Sequence, residues 1–244
     1  MQLILDFGNT QQKLALYEGN DLALTRNYPE ISKALIARIL DEHPGITAAI
    51  LSSVIHHSEE ITALLRQRIQ LISLDENTPI PVINKYKSSS TLGKDRLAAA
   101  VAGAAAFPGE NVLIINAGTA LTFDFVNEMG EYLGGSISPG MQMRFNALHT
   151  FTDKLPLISY QETVGLLGSD TRTSILSGVV NGIVAEIEGI SNGYLEIYPG
   201  LKIILSGGDL NYFVNRLKIS IFALPNIVIN GLQQILSFNV NKTK

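Results

Sequence analysis

Two segments of this 244-residue chain bring a polar residue, a glycine and a threonine to the end of an apolar run: Leu3-Ile4-Leu5-Asp6-Phe7-Gly8-Asn9-Thr10 and Leu113-Ile114-Ile115-Asn116-Ala117-Gly118-Thr119-Ala120. A glycine in a tight strand-to-strand turn lets backbone N–H groups come close to a ligand, and successive N–H groups there form an anion-binding concavity. A polyphosphate held between two such turns is the first expectation. Asp6 ends a buried strand, where a carboxylate is costly unless it meets a cation or several donors. A Mg²⁺ carried on ATP phosphates is one such cation, because it keeps most of its waters and takes only one or two protein carboxylates. Turn N–H groups would satisfy the same carboxylate, but Asn9, Thr10 and Lys13 beside it favour phosphate.

Gly93-Lys94-Asp95-Arg96 is the next segment with chemistry in it. Read on its residues alone, a Gly-x-Asp ahead of an alanine-rich run is an ordinary helix start with Asp95 as an inert cap. Gly207-Gly208-Asp209 follows an apolar strand and opens a helix; it is either a plain β-to-α turn or a place where a nucleoside approaches backbone closely. His43, His56, His57 and His149 have no cysteine or carboxylate cluster at ligand spacing, so they do not suggest a zinc site. Neither a Gly-x-Ser-x-Gly elbow nor a Walker loop is present, which removes the hydrolase and P-loop readings.

The elements that must position these residues repeat. Leu3 to Asp6, Lys13 to Tyr17 and Leu22 to Arg26 read as an antiparallel meander turned at Glu18 to Asp21. A helix through Ile31 to Ile39, a strand at Thr47 to Ser53, a helix at Ser58 to Arg68 capped by Ser58, and a strand at Gln70 to Leu74 complete βββαβαβ. After the alanine-rich helix Asp95 to Phe107, the order returns. Val112 to Asn116, Ala120 to Val126 and Glu131 to Ile137 form a second meander, followed by helices at Met141 to Leu148 and Thr171 to Tyr198. A strand at Leu201 to Ser206, a helix near Leu210 to Leu217, a strand at Ser220 to Phe222 and a helix at Ile227 to Phe238 follow, with Asn239 to Lys244 read as a frayed tail. The halves are residues 1–107 and 108–244.

Composition narrows the partners. Net charge is −4 with no dense Lys/Arg cluster, which argues against nucleic acid or an anionic membrane. No apolar run approaches the roughly 20 residues that span a bilayer, no signal segment is evident, and cysteine is absent. A cytoplasmic protein acting on a small anionic ligand is expected.

Taken in order, Asp6-Phe7-Gly8-Asn9-Thr10 with Lys13, Gly93-Lys94-Asp95-Arg96, Gly118-Thr119-Ala120, Gly134-Gly135-Ser136-Ile137-Ser138-Pro139-Gly140 and Ser206-Gly207-Gly208-Asp209 resemble the type III pantothenate kinases. These belong to the actin, hexokinase and acetate kinase superfamily. The resemblance spans nearly the whole chain. It implies a duplicated ribonuclease-H-like α/β fold with the nucleotide in the cleft, and transfer of the ATP γ-phosphoryl group to the hydroxyl of pantothenate, the first step towards coenzyme A.

Carried over residue by residue, it makes Asp95 the acceptor of the hydroxyl proton and Arg96 the partner of the substrate carboxylate, with Gly93 and Lys94 in the same substrate segment. Tyr86 matches an aromatic substrate contact, although Ser88-Ser89-Ser90 departs from the usual proline-containing loop. Thr171 matches a pantothenate contact made across a homodimer interface, and a helix cap is its equal alternative. Asp6, Gly8, Asn9, Thr10, Lys13 and Thr119 fall to ATP and its Mg²⁺. Asn116 stands where the family carries an Asp that binds an activating K⁺ or NH₄⁺, so that cation site is expected to be weakened or absent. The other readings are a kinase of another small anionic substrate, or a non-catalytic nucleotide-binding regulatory or accessory protein of the same fold.

Overall fold

The computed structural model describes residues 1–8, 10–161 and 164–242. In chain order the elements are β1 (Gln2–Phe7), β2 (Gln12–Glu18), β3 (Asp21–Tyr28), α1 (Lys33–Glu42), β4 (Ala48–Ser53), α2 (Glu59–Arg68), β5 (Gln70–Ser73), β6 (Ile83–Asn84), α3 (Lys94–Ala106), β7 (Val112–Ala117), β8 (Ala120–Val126), β9 (Glu131–Pro139), α4 (Met141–Thr150), α5 (Thr171–Ile197), β10 (Lys202–Ser206), α6 (Leu210–Phe213), β11 (Phe222–Ala223) and α7 (Ile227–Lys242). They form two compact units, Met1–Ala102 with Ile227–Lys244, and Gly103–Asn226.

In the first unit the strands stand in the order β3-β2-β1-β4-β5. The meander β1-β2-β3 is antiparallel, and β1, β4 and β5 run parallel. Parallel strands need covering on both faces, and the period of two divides β1 accordingly. Leu3, Leu5 and Phe7 pack with Ile36, Ile39, Ile61 and Leu65 of α1 and α2. Gln2, Ile4 and Asp6 face the other way, where Gln2 meets Ser237 and Gln233 of α7 and Tyr17 of β2 donates to Asn230 Oδ1 at 2.6 Å.

The alanine-rich run of α3 has a packing reason on this side. Ala98, Ala99 and Ala100 are fully buried, and a Cβ built on Gly231 of α7 would stand 1.8 Å from the Ala98 carbonyl oxygen. The two helices therefore touch backbone to backbone.

The second unit repeats the arrangement with β9-β8-β7-β10-β11. The meander β7-β8-β9 is again antiparallel and β7, β10 and β11 again parallel. Leu113, Ile115, Ala117, Leu121, Phe123 and Phe125 join Phe145 of α4 and Ile175, Val179, Ile183 and Ile187 of α5 in one core. By length and apolarity alone α5 could cross a bilayer; its apolar stripe instead fills this core. Between the meander and the next strand the first unit has α1 alone, where the second has α4 and the long α5; the copies differ most in size there.

Several boundaries differ from the sequence reading. The last helix does not fray after Phe238 but continues to Lys242, because Asn239 donates to the carbonyls of Pro79 and Ile235. It also groups with the first unit rather than with residues 108–226, and the division falls inside α3, after Ala102. The close Gly231–Ala98 approach and the Gln2–Ser237 bonds are the physical reason. The helix expected over Leu210 to Leu217 shortens to Leu210–Phe213.

Candidate functional site

Strand register places the first cluster. Asp6 lies directly opposite Lys13 on β2 and beside Ser52 on β4. All three share the face of the sheet that carries Gln2 and Tyr17, the face covered by α7. Phe7 pairs with Gln12, and the turn between them closes through Gly8 N–H to the Gln11 carbonyl at 3.2 Å. A Cβ on Gly8 would sit 3.0 Å from that carbonyl oxygen, so the turn is tight. Thr10 is exposed in this turn. Asn9 lies outside the described residues.

The second cluster is the start of α3. Leu97 N–H bonds the Gly93 carbonyl at 3.1 Å, so Asp95 lies inside the first helical turn, not ahead of it as a cap would. Its Oδ1 accepts from the Arg96 N–H at 2.9 Å. A Cβ on Gly93 would come within 2.6 Å of Asp95 Oδ1, so the glycine leaves the room this carboxylate occupies. Lys94 reaches back to donate from Nζ to the Ser53 carbonyl at 3.3 Å, which ties α3 to the end of β4. Arg96 is 6% exposed, and its guanidinium carbon stands 5.7 Å from the centre of the Tyr86 ring.

The two clusters meet electrostatically. Burial pushes the Asp6 carboxyl up to about 6; the Lys13 ammonium opposes the rise, the Asp95 carboxylate adds to it, and the Ser52 hydroxyl opposes it weakly. Ser52 Oγ is itself buried without a hydrogen bond of full geometry. It lies near enough to Asp6 to oppose the rise in its pKa. A carboxylate resisting ionisation beside an unsatisfied hydroxyl is a setting that a further cation or its water shell would complete. The residues therefore fit the Mg²⁺ of a nucleotide.

In the second unit Asn116 occupies the register position of Asp6. It pairs with Thr122 on β8 and Ser206 on β10, where Asp6 has Lys13 and Ser52. The carboxylate and the ammonium are thus both replaced by neutral groups, and Thr122 Oγ1 is buried without a partner. Sequence comparison of the two turns finds the first replacement; only the register reveals the second.

Three glycine motifs converge on the Gly118-Thr119 turn. Gly118 N–H bonds the Ala120 carbonyl at 3.1 Å, and Gly140 N–H bonds the Thr119 carbonyl at 3.2 Å. A Cβ on Gly140 would lie 2.1 Å from the Gly118 oxygen. From the other side Gly207, at φ +102°, would place a Cβ 2.0 Å from the Ala117 oxygen, which also accepts from the Asp209 N–H at 2.9 Å. Gly207 is therefore a glycine because β7 lies against it. Gly208 is exposed with open space around its Cα. Burial pushes the Asp209 carboxyl up to about 6. Thr119 itself is exposed at the tip of the turn.

Thr171 is the first residue of α5 and is exposed. The cap is Asp170, whose carboxylate accepts from Thr173 N–H at 2.7 Å and is held below the usual carboxylate range by that bond. The capping alternative for Thr171 is thereby removed. Sequence reasoning missed Ser52, although a polar pair closing the apolar run Ala48 to Leu51 was a readable signal.

Comparison with known proteins bears on the chain as a whole. The sequence profile described as type III pantothenate kinase matches residues 2–193. A type III pantothenate kinase of Phocaeicola vulgatus is 42% identical over 98% of this chain and 99% of its own length. That of Christiangramia forsetii is 41% identical over the same shares. Among solved structures, a Campylobacter jejuni protein assigned to the Baf family of transcriptional activators superposes with a TM-score of 0.58 at 21% identity, covering 98% of this chain and 99% of that one. An inorganic polyphosphate/ATP-glucomannokinase from Arthrobacter sp. strain KM superposes with a TM-score of 0.50 at 13% identity over 98% of both chains. At these identities the structures establish the actin-like kinase fold alone.

Proposed function

We propose a division of labour among the residues of this chain, which belongs to the type III pantothenate kinase family. It phosphorylates pantothenate from ATP, the first step of coenzyme A biosynthesis. The observation that carries the assignment of roles is the meeting of Asp6, Lys13 and Asp95 on one side of the first sheet.

Asp6 faces the Mg²⁺ of the nucleotide, and Gly8, Asn9, Thr10 and Lys13 hold its phosphates; Thr119 adds a hydrogen bond from the second turn. The metal, when bound, neutralises charge on the phosphates. Asp95 accepts the proton of the pantothenate hydroxyl as that oxygen bonds to the γ-phosphorus and the bond to the ADP oxygen breaks. Phosphoryl transfer has a loose transition state, so positioning and charge neutralisation carry most of the rate. Asp95 accordingly acts in large part by orienting the hydroxyl. Arg96 meets the substrate carboxylate through its planar fork, Tyr86 backs that guanidinium, and Gly93 and Lys94 set the approach of the segment.

Thr171 reaches pantothenate from a second copy in a homodimer. Its exposure and the bare apolar side chains of Leu166 and Leu167, 87% and 88% exposed just ahead of it, support this arrangement. The cytoplasm, where ATP is made, is the compartment that fits the reaction. At Asn116 a carbonyl oxygen without charge leaves a weak monovalent-cation site or none.

The test is ADP release by the purified chain with Mg-ATP and pantothenate while K⁺ and NH₄⁺ are titrated. Turnover dependent on pantothenate is expected, with little response to either cation. Asp95→Asn should lower kcat about 100-fold and keep the fold; normal turnover in that variant would remove the role given to Asp95. No turnover under any cation would favour a regulatory protein of the same fold.

A further inference from the structure

Arg144 stands in the first turns of α4, at the positive end of the helix, where a cation is electrostatically misplaced. What it touches accounts for it. Its Nε donates to the Pro139 carbonyl at 2.8 Å, and its Nη2 donates to Ser138 Oγ at 2.7 Å. The same Nη2 is paired with Glu186 of α5, and both side chains are largely buried, 22% and 24% exposed. The guanidinium thus bridges the helix that fills the core and the last residues of β9. Those residues hold Gly140, whose N–H bonds the Thr119 carbonyl and whose Cα leaves no room for a side chain against Gly118. Pro139 and Ser138 are also the register partners of Ala120 and Leu121, the residues that leave the turn.

We propose that Arg144, neutralised by Glu186, is a positioning residue for the Gly118-Thr119 turn and through it for the nucleotide. It works through backbone and touches no substrate. Gly140 carries no side chain and makes no side-chain cap for α4, so it holds the turn by its backbone N–H alone. On the opposite side Gly207 and Asp209 hold Ala117 with backbone contacts alone. The Arg144 fork is a side-chain anchor on the β9 side of this turn. A lysine would keep the charge for Glu186 but lose the two-directional fork that reaches Pro139 and Ser138 together. The inference rests on the assignment of Thr119 to ATP, and its test separates the two.

The full chain carrying Arg144→Gln, Arg144→Lys, Glu186→Gln or Arg144→Gln with Glu186→Gln is compared with Thr119→Ala. Steady-state constants for both substrates, ADP binding by calorimetry and the thermal midpoint are measured. Arg144→Gln is expected to raise the ATP KM and weaken ADP binding about five- to tenfold, with the pantothenate KM within about twofold of the parent. Arg144→Lys should not rescue, and the double variant should be no worse than Arg144→Gln, since both residues act in one chain of contacts.

An unchanged ATP KM in Arg144→Gln while Thr119→Ala raises it overturns the positioning role alone. An unchanged ATP KM in Thr119→Ala overturns the assignment of Thr119 instead. Equal rises for both substrates, or rescue by lysine, mean a merely structural ion pair. If Arg144→Gln does not fold, Glu186→Gln and Ser138→Ala decide by the same split between ATP and pantothenate.

Discussion

The Arg96 guanidinium sits over the Tyr86 ring, 5.7 Å from its centre, although nine residues of chain lie between the two. The ring presents its negative face to a cation that is largely desolvated, which is the setting in which such a contact is worth most. Tyr86 is itself steadied by its N–H bond to Asn84 Oδ1 at 3.0 Å.

Substrate affinity should follow this pair. Arg96→Gln is expected to raise the pantothenate KM about 10- to 100-fold, the range of a charge-assisted hydrogen bond to a carboxylate. Tyr86→Ala should raise it by about three- to tenfold, and Tyr86→Phe should leave it nearly unchanged because the ring face remains. Kinetics with ATP saturating and pantothenate varied decide the point, and a tyrosine hydroxyl that proved essential would refute the ring assignment.

Acidity at Asp6 gives a pH dependence with a definite sign. The carboxyl rises from 3.8 to about 6, chiefly through burial. The free protein therefore binds more protons folded than unfolded between these values, and its stability should fall as pH rises through that window. Activity runs the other way, since Mg²⁺ needs the ionised form. kcat/KM for Mg-ATP should climb through about pH 6 and level off above it. Asp95→Asn removes a neighbouring negative charge and should move this midpoint to lower pH; denaturation curves and rate profiles measured across pH 4 to 8 test both limbs.

Charge can be returned to the second turn. Asn116→Asp restores a carboxylate opposite Thr122 and beside Ser206, with no lysine facing it as Lys13 faces Asp6. The variant should be activated by K⁺ or NH₄⁺ more strongly than the parent, and without either cation it should be less active than the parent. Identical cation titrations for the two proteins would show that this position holds no cation.

Stability of the first unit should depend on one glycine of α7. Gly231→Ala places a methyl group 1.8 Å from the Ala98 carbonyl oxygen, where backbone must move to admit it. A loss of about 1–3 kcal/mol is expected from overpacking, measured as a shift of the urea midpoint at constant slope. Gly178→Ala on α5, where the added methyl meets nothing, is the control and should be neutral or stabilising.

Much of this was readable in the chain because it is local. Apolar runs ended by a polar residue and a glycine specified β1 and β7, alternation specified the meanders, and Ser58 marks a helix start that the structure shows it capping, whereas the cap of α5 is Asp170 and not Thr171. Asp95 was misjudged on local grounds alone, since a carboxylate inside the first helical turn and one just before it have the same sequence signature.

What the sequence by itself determined is the duplicated order of elements, the family and the residue types at each turn, since periodicity, turn chemistry and ordered motifs are properties of neighbours along the chain. Only the tertiary structure decided that Asp6 faces Lys13 and Ser52 while Asn116 faces Thr122 and Ser206, that α7 returns to the first unit, and that Arg144 joins Ser138 and Pro139 to Glu186. Each of these depends on strand register or on the contact of distant helices, and nothing short-range in the chain carries that information.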